Sequence, residues 1–310
     1  MTTSIFIDGA EGTTGLEIRE RLAGRSEFAL TTLEGDARKN LDARRAALNA
    51  ADIAILCLPD DAAREAVALI ENDTTRVIDA SSAHRVADGW TYGFPELVGR
   101  EAVANARFVS NPGCYPTGFL ALVAPLVRAG LIPADWPYTV NAVSGYSGGG
   151  KALIARFEAE GAPAFRAYGY DMAHKHRAEM KLHGGLKHEV IFAPSVVPAY
   201  RGMVVEVPLH LGAMAGNPTA DSLRAALQEF YAGSQVVSVV DGAAPAELLI
   251  EKDAQPSDRL ELFVFGNEGG WHARLVALLD NLGKGASGAA VQSLNLMTGL
   301  PEETGLSLKA

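Results

Sequence analysis

The feature that most constrains the fold is a short apolar run that leads into closely spaced glycines and then into an amphipathic stretch. Residues 4–8 (SIFID) form the run, Gly9, Gly12 and Gly15 follow, and residues 15–22 have helical character. Further strands are predicted at 28–33, 50–58 and 76–78, with helices around 42–49 and 61–71. This alternation predicts an α/β fold with a parallel, doubly wound sheet.

The chain changes character after Cys114, because the apolar runs become strand-like and fewer helical segments separate them. This half predicts a mixed or antiparallel sheet. The last segment begins with a glycine-rich turn at Asn281 and continues as a helix, which we expect to return to the first domain. The strands predicted in this half are residues 138–144, 189–194, 202–211, 235–240 and 259–266.

Composition excludes several classes of partner. The 310 residues carry a formal net charge of −10 without a lysine- or arginine-rich run, so we expect neither nucleic acid nor a membrane as a partner. MTTSIFIDGAEG has no recognisable leader, and no apolar run approaches the roughly 18 residues of a spanning helix. We therefore expect a soluble, cytoplasmic protein. In that reducing compartment Cys57 and Cys114 are not expected to form a disulfide.

The spacing of the three glycines suits a dinucleotide. A tight turn lets backbone amides approach a pyrophosphate, and the helix that follows directs its positive N-terminus at the phosphates. The pattern differs from G-x-G-x-x-G, and the alternative is a glycine-rich turn without a ligand. Glu34 can accept from a ribose hydroxyl and favours NAD, whereas Arg38 and Lys39 can hold a 2'-phosphate and favour NADP. These residues alone leave the choice open.

Cys114 lies in a turn that fits a catalytic nucleophile. Pro-Gly precedes it and Pro116 follows, ahead of an apolar helix predicted to start near Phe119, so the sulfur should lie at or just before a helix N-terminus. The helix dipole and unpaired amides there favour thiolate and can stabilise an oxyanion. The alternative is a buried structural cysteine, which Cys57 fits well inside the apolar segment ADIAILCLP.

Two further polar clusters suit an anionic substrate. Residues 174–179 (HKHRAE) supply a proton donor and cations; on a helix His176 and Glu179 would be neighbours, whereas His174 would point elsewhere. Residues 144–151 (SGYSGGGK) have the composition of an anion-binding loop. Either cluster can equally be exposed surface. Neither has the spacing of a zinc site, so we expect no metal.

Five segments in order resemble the N-acetyl-gamma-glutamyl-phosphate reductase family of arginine biosynthesis, in its shorter bacterial form. They span nearly the whole chain, and together they are far more specific than any one of them. The segments are residues 9–15 (GAEGTTG), 110–117 (SNPGCYPT), 144–151 (SGYSGGGK), 174–179 (HKHRAE) and 280–290 (DNLGKGASGAA).

The resemblance implies a domain layout and candidate site residues. It implies an NADP-binding Rossmann domain at 1–113, a catalytic and oligomerisation domain at 114–280 with an α+β, mixed-sheet fold, and a C-terminal segment at 281–310 that packs back on the Rossmann domain. Cys114 would be the nucleophile, assisted by His174 or His176. The cofactor-binding candidates are Gly9, Glu11, Gly12, Thr13, Thr14, Gly15, Arg38, Lys39, Asn281 and Lys284. The substrate-binding candidates are Asn111, Ser144, Ser147, Gly148, Lys151 and Glu179.

The implied reaction is the NADPH-dependent reduction of an acyl phosphate, N-acetyl-gamma-glutamyl phosphate, to N-acetylglutamate 5-semialdehyde. It would pass through a Cys114 thioester and release phosphate. The resemblance also implies a homo-oligomer, either a dimer or a tetramer. Two alternatives stay open: a related reductase of aspartyl phosphate or of an N-acylated aminoadipyl phosphate, and a nicotinamide-binding regulator or scaffold subunit.

Overall fold

The computed structural model describes residues 2–241 and 245–308; residues 1, 242–244 and 309–310, which fall within the predicted domain ranges, lie outside the described part. The chain divides into two compact units. The N-terminal unit comprises Met1–Pro112 and Ala286–Leu306. The central unit comprises Gly113–Gly285 and Ser307–Ala310.

The N-terminal unit contains a six-stranded, fully parallel sheet with the strand order β2-β1-β3-β4-β6-β5. Its strands are β1 Thr3–Asp8, β2 Phe28–Thr31, β3 Ile53–Leu56, β4 Arg76–Asp79, β5 Thr91–Tyr92 and β6 Phe108–Ser110. Its helices are α1 Thr13–Leu22, α2 Leu41–Ala50, α3 Asp60–Ala68, α4 Pro95–Val98 and α5 Arg100–Asn105, followed late in the chain by a C-terminal helix, Gly288–Met297.

Both faces of this parallel sheet are buried, which explains its continuous apolar strands. Alternate residues of β1 face opposite ways, so Ile5 packs in one core and Phe6 in the other. The core on the Ile5 side includes Val291 and Leu294 of the C-terminal helix. Asn295 of that helix also accepts a 2.9 Å hydrogen bond from the Arg25 guanidinium. The predicted return of the last helix to the first fold unit is therefore confirmed.

The central unit contains a seven-stranded mixed sheet with the order β11-β12-β13-β10-β7-β9-β8. Its strands are β7 Thr139–Gly145, β8 Arg166–Ala167, β9 Ile191–Val197, β10 Met203–Leu209, β11 Val237–Val239, β12 Leu260–Gly266 and β13 Ala273–Leu279. Its helices are α6 Cys114–Arg128, α7 Gly150–Glu158, α8 His176–Gly184 and α9 Ala220–Phe230.

Helix α6 forms the core of the central unit. All residues from Tyr115 to Leu126 are buried, and a methyl group at Gly118 would lie 2.8 Å from Val205 of β10, so the helix lies close against the sheet. The helix begins at Cys114 itself and not near Phe119, because Pro116 fits the first turn of a helix.

The predicted fold class, a parallel Rossmann-type sheet followed by a mixed sheet, is confirmed. Four strands were not predicted from the sequence. They are β5 and β8, with two residues each, β6, with three residues, and the longer β13 (ARLVALL). In the described part of the chain, no helix has the length and apolarity needed to cross a membrane.

Candidate active site

The glycine turn joins β1 to α1 in the N-terminal unit. Gly9 has a φ of +85°, and a side chain there would collide with the carbonyl group of Cys57. The Gly12 N–H donates to the Gly9 carbonyl at 3.0 Å, and Thr13 and Thr14 then open α1. No side chain among the described residues caps the start of α1, so its first amides suit an anion such as a pyrophosphate.

The cations predicted to select the nucleotide lie in a short 3-10 turn, Gly35–Lys39. Arg38 forms an ion pair with Glu11 of the glycine turn, which places a guanidinium beside that turn. Glu34 and Lys39 are exposed in the same turn region. This turn region therefore carries two cations, Arg38, which is paired with Glu11, and the exposed Lys39.

A buried ion pair lies directly before the glycine turn. Asp8, the last residue of β1, accepts a 3.0 Å hydrogen bond from Arg44 of α2, and both side chains are buried. Burial raises the pKa of Asp8 despite the Arg44 charge. Sequence reasoning missed this pair, although a charged residue at the end of a buried strand is a signal for a partner.

The carboxyl ends of β4 and β6 hold a second polar group in the same unit. Ser81 donates to Asp79 at 2.7 Å, and Arg85 donates to the Asn111 carbonyl at 2.9 Å, so both side chains make contacts within the unit. Asn111 donates to the Ala286 carbonyl at 2.9 Å, while its own Oδ1 is buried and accepts no hydrogen bond from any described residue. Asn111 therefore keeps an acceptor for a ligand.

Cys114 is the first residue of α6, in the central unit, at the position where helix amides favour negative charge. The N–H of Gly113 donates to the Glu179 carboxylate at 2.7 Å, which fixes the turn before the cysteine. A methyl group at Gly285 would lie 2.9 Å from the Cys114 Cβ, so the segment around Gly285 passes directly over the cysteine.

The two histidines lie together, contrary to the expectation that His174 would point elsewhere. Their ring centroids are 4.7 Å apart, because the chain turns between His174 and the first residue of α8, His176. Both rings contact Tyr115, the neighbour of the cysteine. Burial and the charge of Lys175 lower the pKa of His174, which favours a neutral imidazole.

The glycine-rich segment after β7 is a 3-10 turn, Tyr146–Gly149, and not a loose loop. The Ser147 hydroxyl accepts a 2.9 Å hydrogen bond from the Asn281 amide, and Ser144 and Gly148 lie beside this pair. Lys151 is exposed at the start of α7 and does not join the group. The structure thus brings the serines together with Asn281 and leaves the lysine apart.

Asn281 and Lys284 belong to a tightly held segment. Asp280 forms a buried 2.8 Å ion pair with Arg201 and also accepts from the Leu282 N–H. The Oδ1 atom of Asn281 is buried and accepts no hydrogen bond from any described residue, whereas Lys284 is buried within the π-helical turn Gly283–Ser287. Sequence reasoning missed the Arg201–Asp280 pair, because only the fold joins residues so distant in the chain.

Among the described residues, no group of three or more histidine, cysteine or acidic side chains is arranged to hold a metal ion. The polar atoms offered by both units, namely helix amides, buried amide oxygens, a thiol and imidazoles, suit organic ligands.

A parallel nucleotide-type sheet, followed by a mixed-sheet unit with a cysteine at a helix N-terminus, defines an oxidoreductase of the semialdehyde dehydrogenase class. The profile of "Semialdehyde dehydrogenase, NAD binding domain" matches residues 4–106, and that of "Semialdehyde dehydrogenase, dimerisation domain" matches residues 114–281. The solved aspartate semialdehyde dehydrogenase II of Vibrio cholerae, complexed with ASA, has a TM-score of 0.71 at 18% identity, covering 96% of this chain and 99% of that chain. That of Francisella tularensis has a TM-score of 0.71 at 14% identity, covering 96% and 100%. At such identities these two structures support the fold alone.

Other relatives are much more similar to this chain in sequence than these two structures are. The N-acetyl-gamma-glutamyl-phosphate reductase of Sinorhizobium fredii is 52% identical over 306 residues, covering 96% of this chain and 99% of the relative. The protein of the same name from Brucella ovis is 52% identical over 309 residues, covering 96% and 100%. The chain belongs to the N-acetyl-gamma-glutamyl-phosphate reductase family and is an NADP-dependent oxidoreductase acting on a small molecule. The resemblance found in the sequence is thereby confirmed.

Proposed function

We propose that this chain reduces N-acetyl-gamma-glutamyl phosphate to N-acetylglutamate 5-semialdehyde with NADPH, as a cytoplasmic step of arginine biosynthesis. The observation that carries the proposal is Cys114, placed as the first residue of α6 next to a turn anchored by Glu179. The names of the relatives supply the substrate. The cytoplasm is proposed because neither cysteine is in a disulfide, and a reducing compartment keeps a nucleophilic thiol in that state.

Cys114 would act as a covalent nucleophile. Its thiolate attacks the acyl carbon, the first amides of α6 stabilise the oxyanion, and the carbon–oxygen bond to phosphate breaks to leave a thioester. NADPH supplies the hydride that reduces this thioester. The resulting hemithioacetal breaks its carbon–sulfur bond, which releases the aldehyde and restores the thiolate. A soft thiolate suits both steps, since it attacks readily and leaves readily.

One of the two histidines would transfer the proton when the hemithioacetal breaks down. His174 is favoured as a neutral group by its lowered pKa, whereas His176 lies one helical turn before Glu179 on α8. Either ring lies close to Tyr115, the residue after the nucleophile. Both histidines are candidates, because a reacting carbonyl needs one residue that donates a proton and another that holds the donor in position.

We propose that the nucleotide binds at the glycine turn, with pyrophosphate on Gly9, Gly12, Gly15, Thr13 and Thr14. Arg38 and Lys39 would then hold the 2'-phosphate, and Glu11 would orient Arg38. Asn281 and Lys284 remain proposed cofactor contacts. The proposed substrate contacts are Asn111, Ser144, Ser147, Gly148, Lys151 and Glu179.

We propose a homodimer formed by the outer face of the central sheet. One face of β10, including Met203 and Val205, is buried, while the opposite face of the sheet leaves Ile191 of β9 56% exposed. The match of this region to a family dimerisation domain supports the proposal. Light scattering that gives a monomer at micromolar concentration would refute it.

The reaction can be assayed in reverse as phosphate-dependent oxidation of semialdehydes with NADP⁺. We expect kcat/KM for N-acetylglutamate 5-semialdehyde to exceed the values for aspartate semialdehyde and N-acetyl-aminoadipate semialdehyde by about 100-fold or more, because a misplaced reacting carbon is heavily penalised. A preference for either other aldehyde would overturn the proposed substrate. Comparing NADP⁺ with NAD⁺ in the same assay checks the proposed role of Arg38 and Lys39.

A further inference from the structure

Arg166 is a half-buried arginine that no part of the reaction described above uses. Its guanidinium carbon lies 4.1 Å from the centre of the Tyr168 ring, and it forms no ion pair with any carboxylate in the described ranges 2–241 and 245–308. We propose that Arg166 is a substrate-specificity residue that binds the carboxylate of the substrate's amino-acid end. The inference rests on the proposed function for the identity of that substrate.

The register of the sheet places Arg166 on the face that carries the active-site rings. In the antiparallel pair β8–β9, Arg166 lies opposite Val196 and therefore on the same side of the sheet. Val196 shares its face with Phe192, four residues earlier in β9. The Phe192 ring is 5.1 Å from both Tyr115 and His174, so Arg166 and these residues lie on one side of the sheet.

A chain of contacts connects Arg166 to the nucleophile. Tyr168, beneath the guanidinium, has its hydroxyl 3.4 Å from that of Tyr115, which directly follows Cys114. The Tyr168 ring is also 5.7 Å from the His174 ring. Two tyrosine side chains thus separate the guanidinium from the cysteine. That separation fits the remote anionic end of the substrate better than the phosphate, which is bonded to the carbon that Cys114 attacks.

Other cations of the central unit are less suited to this role. Arg177 is paired with Glu189 at 2.6 Å, and Arg201 is paired with Asp280 at 2.8 Å. Those charges are already neutralised by carboxylates of the chain. The exposed cations in the neighbouring segments are Lys151, Arg156 and Lys175.

The chemistry of Arg166 matches a carboxylate. A planar guanidinium offers two parallel N–H groups to the two oxygens, and stacking on Tyr168 reduces the freedom that binding must remove. Stacking leaves the edge of the guanidinium, where the donors are, open to a ligand. A neutral or cationic group at the same end of the substrate would gain no such contact.

The test measures KM separately for the aldehyde and for inorganic phosphate in the reverse assay. Arg166→Ala should raise KM for N-acetylglutamate 5-semialdehyde about 10- to 100-fold, the range for a lost charge-assisted pair, with kcat changed much less. KM for phosphate should not change. The carboxamide analogue of the aldehyde should be a poor substrate for the wild type and equally poor for the variant. If Arg166→Ala is unstable, Arg166→Gln takes its place, because it keeps hydrogen-bond donors and bulk but has no charge. It should raise KM for the aldehyde in the same way.

Arg156→Ala, at an exposed position of α7, is the matched control and should leave both KM values unchanged. An unchanged KM for the aldehyde in a folded, active Arg166 variant would overturn the proposal, as would a rise confined to phosphate. If the wild type instead oxidises aspartate semialdehyde, the proposed function fails while Arg166 is still tested, since that aldehyde also carries a carboxylate and can be compared with its carboxamide.

Discussion

Cys57 and Cys114 are both free cysteines, one directly after strand β3 and the other after β6 and a short turn, yet their surroundings differ. Cys57 comes directly after β3, where burial and the carboxylates of Asp79 and Asp8 raise its thiol pKa to about 12. Cys114 begins α6, and the N-terminus of a helix favours negative charge. Burial, together with nearby carboxylates, marks Cys57 as a structural cysteine, whereas a helix N-terminus marks Cys114 as the candidate nucleophile.

The largest expected effect is the loss of the nucleophile. Cys114→Ser should lower kcat by about 10³-fold or more while NADPH binding and folding persist, because an unactivated hydroxyl is a weak nucleophile. Cys57→Ser is the matched control and should keep turnover within about twofold. Steady-state kinetics, with mass spectrometry for a thioester on residue 114, checks both. Near-normal turnover in Cys114→Ser would contradict the assignment of Cys114 as the nucleophile.

The histidines provide a second difference between the two cysteines. The rings of His174 and His176 both contact Tyr115, the residue after Cys114. We expect one of His174→Asn and His176→Asn to lower kcat about 100-fold, the usual contribution of a positioned proton donor. The pH dependence of kcat for each variant identifies which ring titrates. Full activity in both variants would reduce the cluster to a structural role.

The segment over Cys114 offers a smaller perturbation. Gly285→Ala places a methyl group 2.9 Å from the Cys114 Cβ and 3.0 Å from the Asp280 carbonyl, so backbone must move. We expect kcat to fall about 10-fold through displacement of the reacting sulfur. Gly269→Ala, whose nearest neighbour is the exposed Trp271, is the control and should be silent. Equal kcat values would show that the segment tolerates the shift.

The smallest effect concerns the stability contributed by Cys57. Because its pKa is raised from 9.0 to about 12, the folded protein keeps a proton that the unfolded chain loses above pH 9, so stability falls as the pH rises from about 9 towards 12. Measured by urea unfolding, the free energy of unfolding should fall between pH 8 and pH 10 by about 1 kcal/mol more in the wild type than in Cys57→Ser. Identical pH dependence would contradict the charge environment assigned to Cys57.

Local patterns were the most predictable part of the molecule. The strand, glycine turn and helix at residues 3–22 follow from apolar runs and backbone freedom, and the helix start at Cys114 follows within a few residues from Pro116. The adjacent rings of His174 and His176 were not predictable, because helical periodicity was applied across a turn that lies before α8. Arg166 was missed for a similar reason: its strand has only two residues and no periodic signal.

The sequence by itself determined the alternating α/β half, the strand-rich second half, and the residue types of a covalent reductase in the order that its family shows. Only the tertiary structure decided which of them meet: Glu179 with the Gly113 amide, Asn281 with Ser147, and Arg166 with the face that carries Tyr115. The physical reason is that strand and helix preferences act over a few residues. Contacts between distant residues depend on sheet register and burial, which are set when the whole core packs.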